Sequence, residues 1–140
     1  MKVGIASDHA GFSLKASIID RLQDVSFKDF GAPSEERADY PDYGHPLAHE
    51  VANGSLSWGI AICGSGQGMN MTVNKHHAIR GALCWNAEIV KLAREHNDAN
   101  ILVLPARFIT VDEALDMIHI FMNTAFEGGR HQPRIEKIHG

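Results

Sequence analysis

The amino-acid sequence predicts an α/β fold: a Rossmann-like, doubly wound sandwich with a five-stranded parallel sheet, helices on both faces and a C-terminal helical tail. Short, nearly continuous apolar runs alternate along the chain with segments in which apolar residues have helical spacing. Strands that are apolar throughout are typical of parallel sheets covered on both faces. Right-handed crossovers between such strands then place the helices on either side.

The five predicted strands are apolar runs that end at turn residues or at polar segments. They cover residues 3–7, 27–30, 58–63, 79–84 and 101–104. The second is the weakest, and Gly31 and Pro33 close it. Because the carboxyl ends of parallel strands share one sheet edge, where ligands bind, residues at the ends of the first and third strands are expected there.

The predicted helices lie between these strands and after the last one. They cover residues 12–22, 43–53, about 69–75, 87–96 and 111–126, with a final short helix at 132–139. The first has apolar residues at Phe12, Ile18, Ile19 and Leu22, a spacing that indicates one buried helical face. The second ends at Asn53-Gly54, a typical helix stop.

Length and composition are those of an ordinary globular domain. The chain has 140 residues, 44% of them hydrophobic and 21% charged, with a formal net charge of −4, so we expect one domain over residues 1–140. The acidic balance argues against a nucleic-acid partner. No apolar run approaches the roughly 20 residues that cross a bilayer, and no signal-peptide pattern precedes the first strand. We expect a cytoplasmic protein with no membrane partner and with cysteines present as reduced thiols.

The most informative segment is the hexapeptide CGSGQG at residues 63–68, which ends the third predicted strand. Its alternating glycines allow a turn whose backbone N–H groups approach a ligand closely. Such a turn binds an anion, either a phosphate or an enediolate oxygen, and is expected to lower the pKa of Cys63. The spacing matches neither a P-loop nor a dinucleotide fingerprint. A plain tight turn after a buried cysteine is the alternative interpretation.

Two further polar segments lie beside predicted strands. Asp8 and His9 follow the first strand at the expected ligand edge, where they could bind hydroxyls or phosphate, although Asp8 could instead cap the next helix. His96 and Asn97 precede the fifth strand, which places them away from that edge. A histidine suits proton transfer near neutral pH. The structural alternative is that Asn97 caps its helix and His96 interacts with the helix dipole.

Arginines near the end of the chain indicate a phosphate site. Arg130 and Arg134 follow a double glycine and are four residues apart, so a helical tail places them on one face, where they suit phosphate binding. Arg107 follows the fifth strand and could be a third cation. Exposed surface positions are the alternative for all three. The histidines at positions 45, 49, 76 and 77 lack a further ligand at metal-like spacing, so we expect no metal site.

Taken together, these segments resemble the B-type ribose-5-phosphate isomerases, the family that also contains the galactose-6-phosphate isomerase subunits. The resemblance covers nearly the whole chain. Its motifs are, in order, SDHAG at 7–11, DYPDY at 39–43, CGSGQG at 63–68, Asn74-Lys75, Arg80, HNDAN at 96–100, Arg107 and EGGRH at 127–131. One branch of the family uses a glutamate directly after the glycine loop as its base. Here that position is Met69, so the role falls to Cys63.

The resemblance implies an aldose–ketose isomerase that interconverts D-ribose 5-phosphate and D-ribulose 5-phosphate in the non-oxidative branch of the pentose phosphate pathway. It implies that Cys63 is the general base and that amides of residues 64–68 stabilise the enediolate. It further implies that Ser65 assists proton transfer and that His96 opens the furanose ring. The implied substrate-binding residues are Asp8, His9, Gly64, Ser65, Gly66, Gln67, Gly68, Asn97, Arg107, Arg130 and Arg134.

The resemblance also implies no cofactor and a homodimer, in some members a pair of dimers, whose pockets combine residues of both subunits. Such an assembly would bring His96 and the tail arginines to Cys63. Two alternatives remain. The same chemistry could act on a hexose 6-phosphate of the allose or galactose type, or the chain could be a non-catalytic phosphate-binding module. A binding module would have no use for Cys63 together with His96.

Overall fold

A five-stranded parallel sheet organises the chain in a computed structural model that describes residues 2–140. The strands are β1 (Lys2–Ser7), β2 (Ser26–Asp29), β3 (Trp58–Cys63), β4 (Gly81–Leu83) and β5 (Ile101–Pro105). Their spatial order is β2-β1-β3-β5-β4, and each neighbouring pair is parallel. The parallel sheet predicted from the apolar runs is confirmed.

Helices cover both faces of the sheet. They are α1 (Phe12–Arg21), α2 (Tyr40–Ala52), α3 (Gln67–Val73), α4 (Ala87–Asn97), α5 (Val111–Asn123) and α6 (Gln132–Glu136). One face packs against α1, α4 and α5, and the other against α2 and α3. Within residues 2–140 none of these helices has the length and apolar character needed to span a bilayer.

The predicted elements are present, but several ends were wrong. Strand β4 is shorter than predicted because only residues 81–83 pair with β5. Helix α2 begins earlier than predicted, since Pro41 fits the first turn of a helix, where its missing N–H is not needed. Helix α3 also begins earlier, directly after Gly66, whose φ of 77° ends the preceding turn. Helices α5 and α6 stop before the predicted residues 126 and 139.

Alternation along the strands decides which side chains face which helices. On β3, Ile60 and Ile62 face the α1, α4 and α5 side, whereas Ala61 and Cys63 face α2 and α3. Cys63 is therefore buried beside Met69 of α3, at the carboxyl edge of the sheet.

Lys15 of α1 carries a buried charge beneath the chain segment that leads to α2. Its side chain is 1% exposed, and its Nζ donates to Asp29 Oδ1 at 2.8 Å and to the Ala32 carbonyl at 2.6 Å. Asp29 is about half exposed, whereas Ala32 is buried. The lysine therefore satisfies a carbonyl that water does not reach.

We expect Lys15→Met to lower the free energy of unfolding by about 1–3 kcal/mol, because the buried Ala32 carbonyl loses its donor. Lys28→Met is the matched control, since it removes a more exposed pair with Glu50 at 2.6 Å. Its expected cost is below about 1 kcal/mol. Urea unfolding followed by circular dichroism measures both changes. Equal destabilisation by the two substitutions would contradict the role assigned to burial.

Cys84 is a fully buried thiol in the core formed with α4 and α5, away from the carboxyl-edge residues. Burial raises its pKa from 9.0 to about 12. An unfolded chain ionises this thiol near pH 9, so the stability it contributes is complete below pH 9 and is lost as the pH rises towards 12. The loss amounts to about 1.4 kcal/mol per pH unit.

Between pH 9 and 10.5, ionisation of Cys84 in the unfolded chain is expected to lower the free energy of unfolding by about 2 kcal/mol. Cys84→Ser should remove this part of the decrease in stability with pH. Urea unfolding of both proteins across this range gives the two slopes. Comparing slopes cancels the pH-independent cost of the substitution itself. Parallel slopes would show that the Cys84 thiol does not remain protonated in the folded chain.

Candidate active site

A pocket of about 540 Å³ lies at the carboxyl edge of the sheet, over the ends of the adjacent strands β1, β3 and β5. Predicted site residues from three separate segments of the chain meet in it. Its lining residues are Asp8, His9, Ala10, Arg37, Ala38, Asp39, Tyr40, Cys63, Gly64, Ser65, Gly68, Arg107 and Phe108. The topology therefore brings together a thiol, a carboxylate, a hydroxyl and cationic groups, the components of a proton-transfer site.

Cys63 lies in this pocket with 5% of its surface exposed. Burial raises the pKa of its thiol above the ordinary value, and the nearby charge of Asp8 acts in the same direction. The nearby backbone N–H groups of Met69, Gly66 and Ser65 lower this pKa and partly offset the rise. The loop amides therefore lower the Cys63 pKa, as the sequence predicted. The predicted net lowering of this pKa was wrong, because desolvation by burial outweighs the effect of the amides.

The glycines of the loop permit close packing that larger residues would prevent. Gly66 has a φ of 77°, and a Cβ there would lie 2.4 Å from Leu83 Cδ1. A Cβ at Gly68 would lie 2.4 Å from the ring of Tyr40. Glycine at these positions lets the loop turn sharply between β4 and α2 while its amides face Cys63.

Asp8 and His9 are held in place by backbone groups. Asp8 Oδ1 accepts from the Gly11 N–H at 3.0 Å, so the carboxylate stabilises the turn before α1 and also lines the pocket. The ligand-edge position expected for Asp8 is therefore observed, but it does not cap α1, whose N-cap is Gly11 with no side-chain cap hydrogen bond. His9 Nδ1 contacts backbone atoms of Ala38 at 3.2 Å, which joins it to the segment before α2.

Ser65 and Arg107 supply potential donors at the mouth of the pocket. Ser65 Oγ accepts from the Gln67 N–H at 3.3 Å, which leaves the hydroxyl proton free to point elsewhere. Arg107 is exposed, and its guanidinium lies over Gly64. The backbone N–H of Arg107 donates to the Gly64 carbonyl at 3.0 Å. No carboxylate in the described part of the chain pairs with this guanidinium.

Several residues that line the pocket were missed by sequence reasoning, among them Arg37 and Tyr40. Arg37 and Tyr40 enter the pocket from the segment that precedes α2 and from its first residue. Tyr40 belongs to the DYPDY motif, so that motif could have indicated it. Nothing in the local pattern distinguishes Arg37 from an ordinary surface arginine.

Four predicted residues lie elsewhere. His96 and Asn97 end α4, at the edge of the sheet opposite Cys63. Arg130 and Arg134 lie in the exposed tail beyond α5. The ring of His96 stacks on that of His131, with centroids 4.2 Å apart. Within one chain these residues do not join the pocket at Cys63, as the sequence position of His96 predicted.

An apolar groove adjoins the pocket. Its lining residues are Ser65, Gln67, Leu83, Trp85, Pro105 and Phe108. Trp85 and Phe108 are 52% and 73% exposed. Large apolar side chains this exposed are typical of a surface that contacts another molecule. Gln67 thus faces the groove, although the sequence predicted it among the substrate-binding residues.

Residues 3–138 match the family model described as Ribose/Galactose Isomerase, which is nearly the whole chain. The chain belongs to the ribose/galactose isomerase family. This confirms the resemblance recognised in the spaced motifs, and it makes the protein an isomerase.

Curated and structural relatives of this isomerase agree in length and fold. Ribose-5-phosphate isomerase B of Escherichia coli strain K12 is 38% identical over 139 residues, 98% of this chain and 93% of that protein. The ribose 5-phosphate isomerase structure from Thermotoga maritima superposes with a TM-score of 0.96 at 43% identity, covering 98% and 96% of the two chains. The Mycoplasma genitalium enzyme, solved with bound ribulose-5-phosphate, has a TM-score of 0.92 at 39% identity, covering 98% and 93%.

Proposed function

We propose that this isomerase interconverts D-ribose 5-phosphate and D-ribulose 5-phosphate, with Cys63 as the base that moves a proton between C2 and C1. The observation that carries the proposal is the position of the Cys63 thiol, buried against the amides of Gly66 and Met69 within a pocket of polar groups. The ribulose-5-phosphate bound to the Mycoplasma genitalium relative supports a pentose phosphate as the substrate.

The reaction is a proton transfer with no net change in atoms or electrons. The thiolate removes the hydrogen on C2 of the open-chain aldose while the carbonyl oxygen on C1 gains a proton, which forms an enediol. Return of the proton from sulfur to C1, with loss of the proton on the C2 oxygen, forms the ketose. Because the pKa of this thiol is raised, only a small fraction is thiolate at neutral pH, but that thiolate is a strong base for a carbon-bound proton.

Negative charge develops on the substrate oxygens during this transfer. Ser65 stabilises that charge by donating a hydrogen bond, and Asp8 positions a substrate hydroxyl. The Ser65 hydroxyl, held by the Gln67 N–H, donates to the oxygen that becomes negative. A single donor of this kind is worth about 3–4 kcal/mol in acyl-transfer enzymes. Asp8 is anchored by Gly11 through Oδ1, and its other oxygen accepts from a substrate hydroxyl.

A second copy of the chain supplies the remaining groups. In a twofold dimer each chain presents its opposite sheet edge to the pocket of its partner, so His96 opens the furanose ring there and Asn97 binds a hydroxyl. The tail arginines 130 and 134 join Arg107 around the phosphate. The exposed groove at Trp85 and Phe108 supports this proposal, since it borders the pocket and suits an apolar interface.

Turnover of ribose 5-phosphate, with the product identified by proton NMR, tests the function directly. Allose 6-phosphate and galactose 6-phosphate serve as comparison substrates. We expect kcat/KM for ribose 5-phosphate to exceed both by at least about tenfold, since a hexose adds a carbon and a hydroxyl to a pocket fitted to a pentose. Turnover of a hexose phosphate alone would reassign the substrate. Phosphate-sugar binding without turnover of any of them would make the chain a binding module.

A further inference from the structure

Three side chains able to bind a metal meet at the sheet edge opposite Cys63. His96 ends α4, and Glu127 and His131 lie on either side of the double-glycine turn after α5. Their ligand atoms all lie within 4.8 Å of one another. Glu127 Oε1 is 3.4 Å from His131 Nε2 and 3.7 Å from His96 Nε2.

One of these groups lacks the partner that its burial requires. His131 is 5% exposed, and its Nε2 accepts or donates no hydrogen bond within residues 2–140. Burial removes the water that would otherwise hydrogen-bond this nitrogen, so an unpaired atom here is unfavourable. The Glu127 carboxylate does not satisfy it, because 3.4 Å is longer than the roughly 2.7–2.9 Å of a charge-assisted hydrogen bond. A cation between the two side chains would satisfy both.

We propose that His96, Glu127 and His131 form a binding site for a divalent transition-metal ion with the preferences of Zn²⁺. Two imidazoles and one carboxylate are the protein ligands of open tetrahedral zinc sites, in which water takes the fourth position. With bonds of about 2.0–2.1 Å, ligand atoms of such a tetrahedron lie about 3.3 Å apart. The two separations from Glu127 Oε1, 3.4 and 3.7 Å, are close to that spacing.

The backbone holds two of the ligands before an ion binds, and the third can adjust. The Glu127 N–H donates to the Glu95 carbonyl at 3.0 Å, which ties the turn to the end of α4. The His131 N–H donates to the Gly128 carbonyl at 3.1 Å. His96 has a side chain 38% exposed, and a tilt of its ring away from the stacked arrangement directs its Nε2 lone pair towards the ion.

Occupation of this site would withdraw His96 from ring opening, a consequence that rests on the proposed function, whereas binding itself does not. An imidazole whose Nε2 lone pair is bound to a cation cannot exchange a proton there. The ion is therefore expected to inhibit turnover and is not required for it, in keeping with an isomerisation that moves only protons.

Titration of metal-free full-length chain with ZnCl₂ by calorimetry, and with Co²⁺ by visible absorption, tests the site. We expect one ion per chain and Co²⁺ bands of four-coordinate type that Zn²⁺ displaces. The affinity is expected to fall at least about tenfold in Glu127→Ala and in His131→Ala. Even substitutions of residues that only hydrogen-bond the metal ligands lower metal affinity by about 10–100-fold.

His76→Ala and Cys63→Ala are the controls. The first removes a histidine pair outside the proposed site, in which His45 Nδ1 lies 2.9 Å from His76 Nε2, and the second removes a competing thiol. Both should retain the affinity of the unmodified chain. Loss of the ion in either control, with retention in Glu127→Ala, would overturn the proposal.

Two further outcomes keep the proposal decidable. His131 is buried and its loss can disturb the local fold, but Glu127 is exposed and gives an independent result. Unchanged affinity in Glu127→Ala, or no binding at millimolar Zn²⁺, would also overturn the site. Because calorimetry and Co²⁺ absorption do not depend on turnover, failure of the isomerase assay would leave these results interpretable.

Discussion

In the Cys63→Ala variant, kcat for ribose 5-phosphate is expected to fall by about 10³–10⁴-fold, the upper range for loss of a general base. KM should change little, because the sulfur acts on a carbon-bound proton in the transition state and contributes little to binding of the ground state. Steady-state kinetics give both constants. Binding of ribose 5-phosphate by calorimetry shows independently whether the pocket is intact.

Cys84→Ser is the matched control for this experiment, because it removes the other buried thiol, which does not line the pocket. It should retain the kcat of the unmodified enzyme at neutral pH. Cys63→Ser should be nearly as inactive as Cys63→Ala, since a serine hydroxyl is too weak an acid to exist as its anion at neutral pH. Undiminished turnover in Cys63→Ala would remove the thiol from the mechanism and leave Asp8 as the nearest alternative base.

Much of the fold was predictable because it depends on local patterns. Strand β3 was predicted with its observed ends, since its apolar run is bounded by polar residues and by the glycine loop. Strand β4 was predicted too long, because only Gly81–Leu83 form the ladder with β5, although the Cys84 N–H still donates to the Val103 carbonyl. Apolar character indicates burial, whereas pairing depends on the neighbouring strand, which a single sequence does not reveal.

The pocket was predictable where topology alone determines it. Residues after parallel strands share one sheet edge, so Asp8 and Cys63 were expected together, whereas Arg107 after β5 was left open as a third cation or a surface residue. Arg37 was not, because the path of the segment before α2 depends on non-local contacts such as that between His9 and Ala38. The direction of the Cys63 pKa was missed for a similar reason, since desolvation depends on how the whole chain packs.

The HNDAN motif shows how one short segment combines different roles. Arg94 and Arg80 both bind the Asp98 carboxylate, at 2.8 and 3.1 Å. Asn100 accepts from the Arg80 N–H and donates to a backbone carbonyl. These contacts fix the turn between α4 and β5, and they leave His96 projecting from its end. Spacing alone could not separate the anchoring residues from the one proposed to act in a neighbouring pocket.

Mixing Cys63→Ala with His96→Ala is expected to restore activity that neither variant has alone. In a mixed dimer, the chain with Cys63 intact receives His96 from its partner, and the other pocket lacks both groups. Random association makes half of the dimers mixed, each with one complete pocket of two, so about a quarter of the unmodified activity should return. The two proteins are mixed under dissociating conditions, reassociated and assayed on ribose 5-phosphate.

The control for this experiment is a mixture of Cys63→Ala with Arg107→Ala, because both residues line the pocket of the same chain. No arrangement of these two chains yields a complete pocket, so activity should not exceed that of Arg107→Ala alone. Restoration only with His96→Ala would place His96 in the partner's pocket, which accounts for its separation from Cys63 within one chain. Equal failure of both mixtures, with mixed dimers verified by native mass spectrometry, would show that His96 does not act in the partner's pocket.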